Sequence, residues 1–171
     1  MKMKILFYTL CILLIVLLQT TILHYISIKG VMPNLVIVFI IVTAFMRGSA
    51  EGAAVGFFAG IALDMMFGNI LGFYALLGFY LGFSIGSMNK GIFKENLLLV
   101  IFFTFSFSIA YEVVVYVINN IMSGSINLLY PLTTIILPEA IYNSVISILT
   151  YPLILKAGRY FDRSGKLSRK Y

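Results

Sequence analysis

The sequence predicts an all-α integral membrane protein of about six helices with both termini in the cytoplasm, on three observations. Apolar residues make up 61% of the 171-residue chain and charged residues only 11%, less than half the charge that a soluble domain usually carries. The apolar residues fall into about six runs, and the basic residues between the runs lie at alternate connections. The length accommodates about six spans of ~20 residues with short connections, leaving nothing for a soluble domain, so the chain reads as one membrane domain.

The first span, residues 5–23, follows Lys2 and Lys4 and reads as a retained anchor, since no small-residue cleavage site follows it. Cys11, the single cysteine, lies inside this run; without a partner for a disulfide it reads as a packing or lipid-facing residue. Residues 25–35 alternate Ile26, Ile28 and Val31 with Ser27, Lys29 and Gly30 and suit an interfacial loop outside. The second span, 34–46, starts at the helix-start pair Pro33-Asn34 and stops at Arg47; the third is 52–67 and the fourth 71–88, closed by Lys90, Lys94 and Glu95. The fifth, 96–122, ends at the turn Ser123-Gly124-Ser125, and the sixth is 132–155. Residues 156–171 form a basic cytoplasmic tail, which either lies on the anionic inner leaflet or simply sets topology.

Lysine and arginine are retained on the cytoplasmic side. With the N-terminus inside, that side carries Lys2, Lys4, Arg47, Lys90, Lys94, Lys156, Arg159, Arg163, Lys166, Arg169 and Lys170, and the outside only Lys29. The net charge of +6 therefore reports topology rather than a nucleic-acid partner. A helix over 34–46 is only ~20 Å long against a ~30 Å hydrocarbon core. A re-entrant hairpin is the alternative, but it would strand Arg47 and Glu51 near the midplane at a cost of ~2.5 kcal/mol or more for the arginine. Two short spans, with Arg47 and Glu51 paired four residues apart at the cytoplasmic edge, are the better expectation.

Small residues recur at every fourth position through Ala44, Gly48, Gly52, Gly56 and Gly60, then Asp64, Gly68 and Gly72, with a second row at Gly78, Gly82 and Gly86. Lipid offers no hydrophobic drive for helices to associate, so such rows predict close backbone approach to other helices. A glycine-lined transport path is the functional alternative.

Three acids lie within apolar runs, Asp64, Glu112 and Glu139, all in the outer half by this map. An intramembrane acid is costly unless paired, neutral or hydrated. Asp64 continues the glycine row and should face a neighbouring helix. Glu139, Tyr142 and Asn143 share a helical face behind Pro138, which interrupts the hydrogen-bond ladder. A shared polar cluster of Asp64, Glu112, Glu139, Tyr142 and Asn143 follows, serving packing through Gln19, Tyr111, Tyr116 or Asn119, contact with a partner, or ligand and proton handling. His24 and Lys29 are the basic residues within reach of that depth. With one histidine, one cysteine and no metal-binding, phosphate-binding or nucleophile motif, no catalytic, cofactor or metal site is expected.

The series Leu18-Gln19-Thr20-Thr21, Pro33-Asn34-Leu35, Arg47-Gly48, Glu51-Gly52, Gly56-Phe57-Phe58-Ala59-Gly60 and Asp64, followed by Leu137-Pro138-Glu139-Ala140-Ile141-Tyr142-Asn143 and Tyr151-Pro152-Leu153, resembles the MreD family of rod shape-determining membrane proteins over nearly the whole chain. The resemblance implies a non-enzymatic subunit of the bacterial cell (cytoplasmic) membrane. Its implied partner is MreC, in an assembly with MreB, RodA and its class B transpeptidase that directs lateral peptidoglycan synthesis. It also implies the bundle of energy-coupling-factor transporter substrate-binding subunits, which makes a vitamin-binding subunit the alternative. Against that alternative, residues 5–23 contain neither alanine nor glycine, the small residues such subunits use to dock their energising complex.

Overall fold

The computed structural model describes residues 2–28, 30–67, 71–88, 96–121 and 128–168. Helices α1 (Lys2–Thr21), α2 (Leu35–Arg47), α3 (Ser49–Phe67), α4 (Phe73–Met88) and α5 (Leu97–Ile121) are followed by a single turn, α6 (Leu129–Pro131), a π-turn (Leu132–Ile136) and the long α7 (Leu137–Ser168). A 3₁₀ turn at Leu23–Ile26 and a bridge between Ile28 and Val31 shape the link from α1 to α2. The chain is an all-α membrane protein. Met3–Thr21, Ser49–Phe67, Leu97–Asn120 and Leu129–Phe161 are long and apolar enough to cross a membrane, and Leu35–Arg47 and Phe73–Met88 are shorter apolar helices. The expected turn at Ser123-Gly124-Ser125, the connection with Lys90, Lys94 and Glu95, and Lys29, Gly68, Arg169 and Lys170 lie outside the described residues.

The centre of the bundle is α2. Every residue from Val36 to Met46 is buried, as expected of a helix that is apolar all round and has helices on every side; α1, α3, α4, α5 and α7 all pack on it. Asn34 starts it, its Oδ1 accepting from the Ile37 N–H at 3.2 Å, which satisfies one of the donors left unpaired in a first turn. Gly48 stops it with φ at +90°, a conformation that costs glycine nothing. Its N–H still closes on the Ala44 carbonyl at 2.9 Å, so α3 begins immediately at Ser49. The expected start of the third span at residue 52 was late by three residues, and α3 has 19 residues rather than a short-span length.

The two glycine rows meet each other. Gly52 lies against Ala44 and the Gly82 carbonyl, Gly56 against Gly78, Gly60 against Tyr74 and Ala75, and Gly86 against Gly48 and Ser49. At each of these positions an added methyl would overlap the facing backbone, so α3 and α4 approach as closely as backbones allow and gain dispersion contact along their length.

The sixth element departs most from expectation. Helix continues through Lys156 to Ser168, so these residues extend α7 instead of forming a separate tail. Alternating basic and apolar residues do not interrupt a helix whose charged face can reach water or headgroups. The irregularity expected near Pro138 is the π-turn at Leu132–Ile136, next to a residue that has no N–H to offer the ladder. Thr133 and Thr134 add hydroxyl bonds to the Leu129 and Tyr130 carbonyls there.

Candidate functional site

Polar side chains gather at the two ends of the bundle. At the end formed by Arg47, the carboxylate of Glu51 receives Arg47 Nε at 3.0 Å and Tyr8 Oη at 3.2 Å, and Lys4 Nζ bonds to it as well. The expected Arg47–Glu51 pair is thus half of a network that ties the first turns of α1 to the α2–α3 junction. Gly158 of α7 lies against the Arg47 guanidinium. Lys4 and Tyr8 escape sequence reasoning because they stand more than 40 positions from Glu51.

The opposite end holds a partly open cavity of about 320 Å³. Gln19 of α1, Asn34, Tyr74 of α4, Tyr111 and Glu112 of α5 and Glu139 of α7 supply its polar lining, and Leu63, Phe67 and Val115 part of its apolar wall. The Glu112 carboxyl lies within reach of Glu139 and of the Asn34 amide, and Asn143 stands beside Glu139.

Two side-chain amides fix the rim. Asn143, fully buried, accepts the Asn34 N–H at 2.7 Å and donates to Ser108 Oγ at 3.1 Å, joining the start of α2 to α5 and α7. Gln19 accepts the Leu35 N–H at 2.9 Å and donates to the Pro33 carbonyl at 3.4 Å, joining α1 to the same point. These bonds satisfy backbone groups at a helix entry that lipid could not. Gln19 is the only amide in the first apolar run, and that isolation is the signal that marks it.

The expected five-residue cluster divides. Glu112, Glu139 and Asn143 come together. Asp64 does not join them: 4% exposed, it accepts backbone N–H groups of Gly72 at 3.1 Å, Tyr74 at 2.8 Å and Ala75 at 3.0 Å. It caps α4 from the end of α3, its oxygens accepting three N–H donors at a helix N-terminus. Tyr142 is also apart, its hydroxyl buried and without a hydrogen-bond partner among the described residues. The turn of α7 that presents Glu139 and Asn143 to α2 and α5 carries Tyr142 to one side. Among the described residues no group of three or more His, Cys, Asp or Glu side chains is placed to hold a metal ion.

The family model of the rod shape-determining protein MreD matches residues 1–161. The chain belongs to the MreD family. The match spans both polar ends and the glycine-packed hairpin, and the family is one of rod shape-determining membrane proteins. It lends nothing to the vitamin-transporter alternative. Neither a curated protein nor a solved structure matches the chain.

Proposed function

We propose that the protein is a non-enzymatic subunit of the rod-shape assembly in the cytoplasmic membrane, crossing it about six times with both termini inside. In this reading it binds MreC directly and, with MreB, RodA and its class B transpeptidase, supports lateral peptidoglycan synthesis. The family match over residues 1–161 carries the reading. The architecture supports it: the small residues are used within the bundle, and large apolar side chains such as Phe58, Leu76 and Tyr80 stand exposed on α3 and α4, where partner helices or lipid can meet them.

Affinity purification in mild detergent is expected to recover MreC, and depletion in a rod-shaped host is expected to give round cells. Recovery of ATPase and coupling subunits in place of MreC would replace this reading with the transporter one. Reporter fusions at Ser27, Asn69 and Ser125 are expected to report the outside, and a cytoplasmic signal at Asn69 would overturn the crossing of α3 and α4.

A further inference from the structure

The cavity holds two carboxyl side chains, Glu112 and Glu139, and no lysine, arginine or histidine among its described lining residues. Tyr111 adds a second and independent sign of incompleteness. Its side chain is 6% exposed and lines the cavity, yet no hydrogen bond from the described residues engages its hydroxyl. The rim amides are largely committed: Gln19 bonds to backbone, Asn143 to the Asn34 N–H and Ser108 while standing beside Glu139, and Asn34 lies within reach of Glu112. The polar groups that face the cavity are therefore chiefly acidic and aromatic. Two carboxyls beside two tyrosines, in a wall otherwise apolar, form the environment that stabilises an ammonium or guanidinium group through charge-assisted hydrogen bonds and ring faces. Glu112 and Glu139 lie within reach of each other with no basic side chain among the described lining residues, and a cation entering the cavity supplies that counter-charge. A volume of about 320 Å³ sits at the lower end of small-ligand sites, about 300–1,000 Å³. It accommodates a short alkylamine or one basic side chain.

We propose that this cavity is a binding site for a cationic nitrogen group, an ammonium or guanidinium, with Glu112 and Glu139 as its counter-charge and the Tyr111 hydroxyl as a further contact. The group arrives either on a basic side chain of a membrane partner or as a free amine. The inference does not rest on the identity of MreC as partner: loss of MreC from a purification and loss of cation binding by the isolated chain are separate results.

The test melts the full chain in mild detergent, with tyrosine fluorescence as signal, in propylammonium or methylguanidinium chloride against sodium chloride at equal ionic strength. A saturable rise in the midpoint, absent in sodium chloride, is expected. It should disappear in the Glu112→Gln/Glu139→Gln double variant and shrink in Tyr111→Phe. No rise beyond sodium chloride, or an equal rise in the double variant, overturns the proposal. If the double variant does not fold, carbodiimide coupling of propylamine to the wild-type chain decides. Amide formation at Glu112 or Glu139 that methylguanidinium suppresses supports the site, and coupling that it leaves unchanged overturns it. In native membranes the same reagent separates the sources. An isopeptide bond to a lysine of another protein assigns the cation to a partner, and coupling to added propylamine alone assigns it to a free amine. A bond to Lys29 of the same chain means that the protein supplies its own counter-charge, and overturns the proposal.

Discussion

Helices α3 and α4 are joined along their length by glycine-to-backbone contact, whereas α1 is attached to the same bundle chiefly at its two ends. Its outward side chains, among them Leu6, Leu10, Leu13, Leu14 and Leu17, are exposed, and only Ile12 and Val16 are buried in the core. Lys4 and Tyr8 bind Glu51 at one end and Gln19 binds the start of α2 at the other. The contrast shows two ways to associate helices in lipid, where apolar area by itself favours neither protein nor solvent. Small residues permit dispersion contact at the closest approach; long apolar residues cannot, and polar bonds at the ends take their place.

The largest effect is expected in the hairpin. Gly56→Leu would drive a side chain into the Gly78 carbonyl, and overpacking of this kind costs at least about 1–3 kcal/mol where nothing can shift. Both facing groups are backbone, so loss of the folded monomer in detergent is the expected outcome. A variant that folds and melts like wild type would show that α3 and α4 are not the rigid unit described.

Next, Asp64→Ala removes the acceptor of three backbone N–H groups and is expected to cost about 2 kcal/mol, read as a fall in the melting midpoint. Asp64→Asn should recover part of it, since one oxygen still accepts while the other is replaced by an amide donor.

At α1 the effects should be smaller and local. Glu51→Ala leaves Arg47, Lys4 and Tyr8 without their shared acceptor; because the network is partly exposed, about 1–2 kcal/mol is expected. Gln19→Leu removes two bonds to backbone for about 0.6–1 kcal/mol. Cys11, the single cysteine, half-buried on α1, reports both: its reaction with a maleimide should accelerate in Glu51→Ala and Gln19→Leu and stay unchanged in Asp64→Ala. Equal acceleration in all three would erase the distinction between the regions.

The close-packing faces of the hairpin were legible because their signal is periodic, while the partner of each row was not. Glycines at every fourth position lie on one ridge of a helix whatever surrounds it; that the two rows meet each other is seen only in the structure. The Arg47–Glu51 pair was legible for the same local reason, while Lys4 and Tyr8 were not, since nothing in their neighbourhood marks residues some 40 positions away. Asp64 was recognised as buried but assigned to the wrong company. An acid in an apolar run looks alike whether it meets another acid or a helix N-terminus, and the hairpin that returns Gly72, Tyr74 and Ala75 to it is a tertiary event.

The sequence by itself determined the class of the protein, the placement of most helices and the faces that pack closely, because composition and helical period act within a few turns of chain. The position of α2 at the centre was not among these, since a 13-residue helix that is apolar but for Thr43 and Arg47 serves equally against lipid or protein. Only the tertiary structure decided that Glu112, Glu139 and Tyr111 open on one cavity while Asp64 caps α4 and Tyr142 stands apart. Those outcomes depend on how five separate helices and a loop converge at one end of the bundle, and no local rule encodes that convergence.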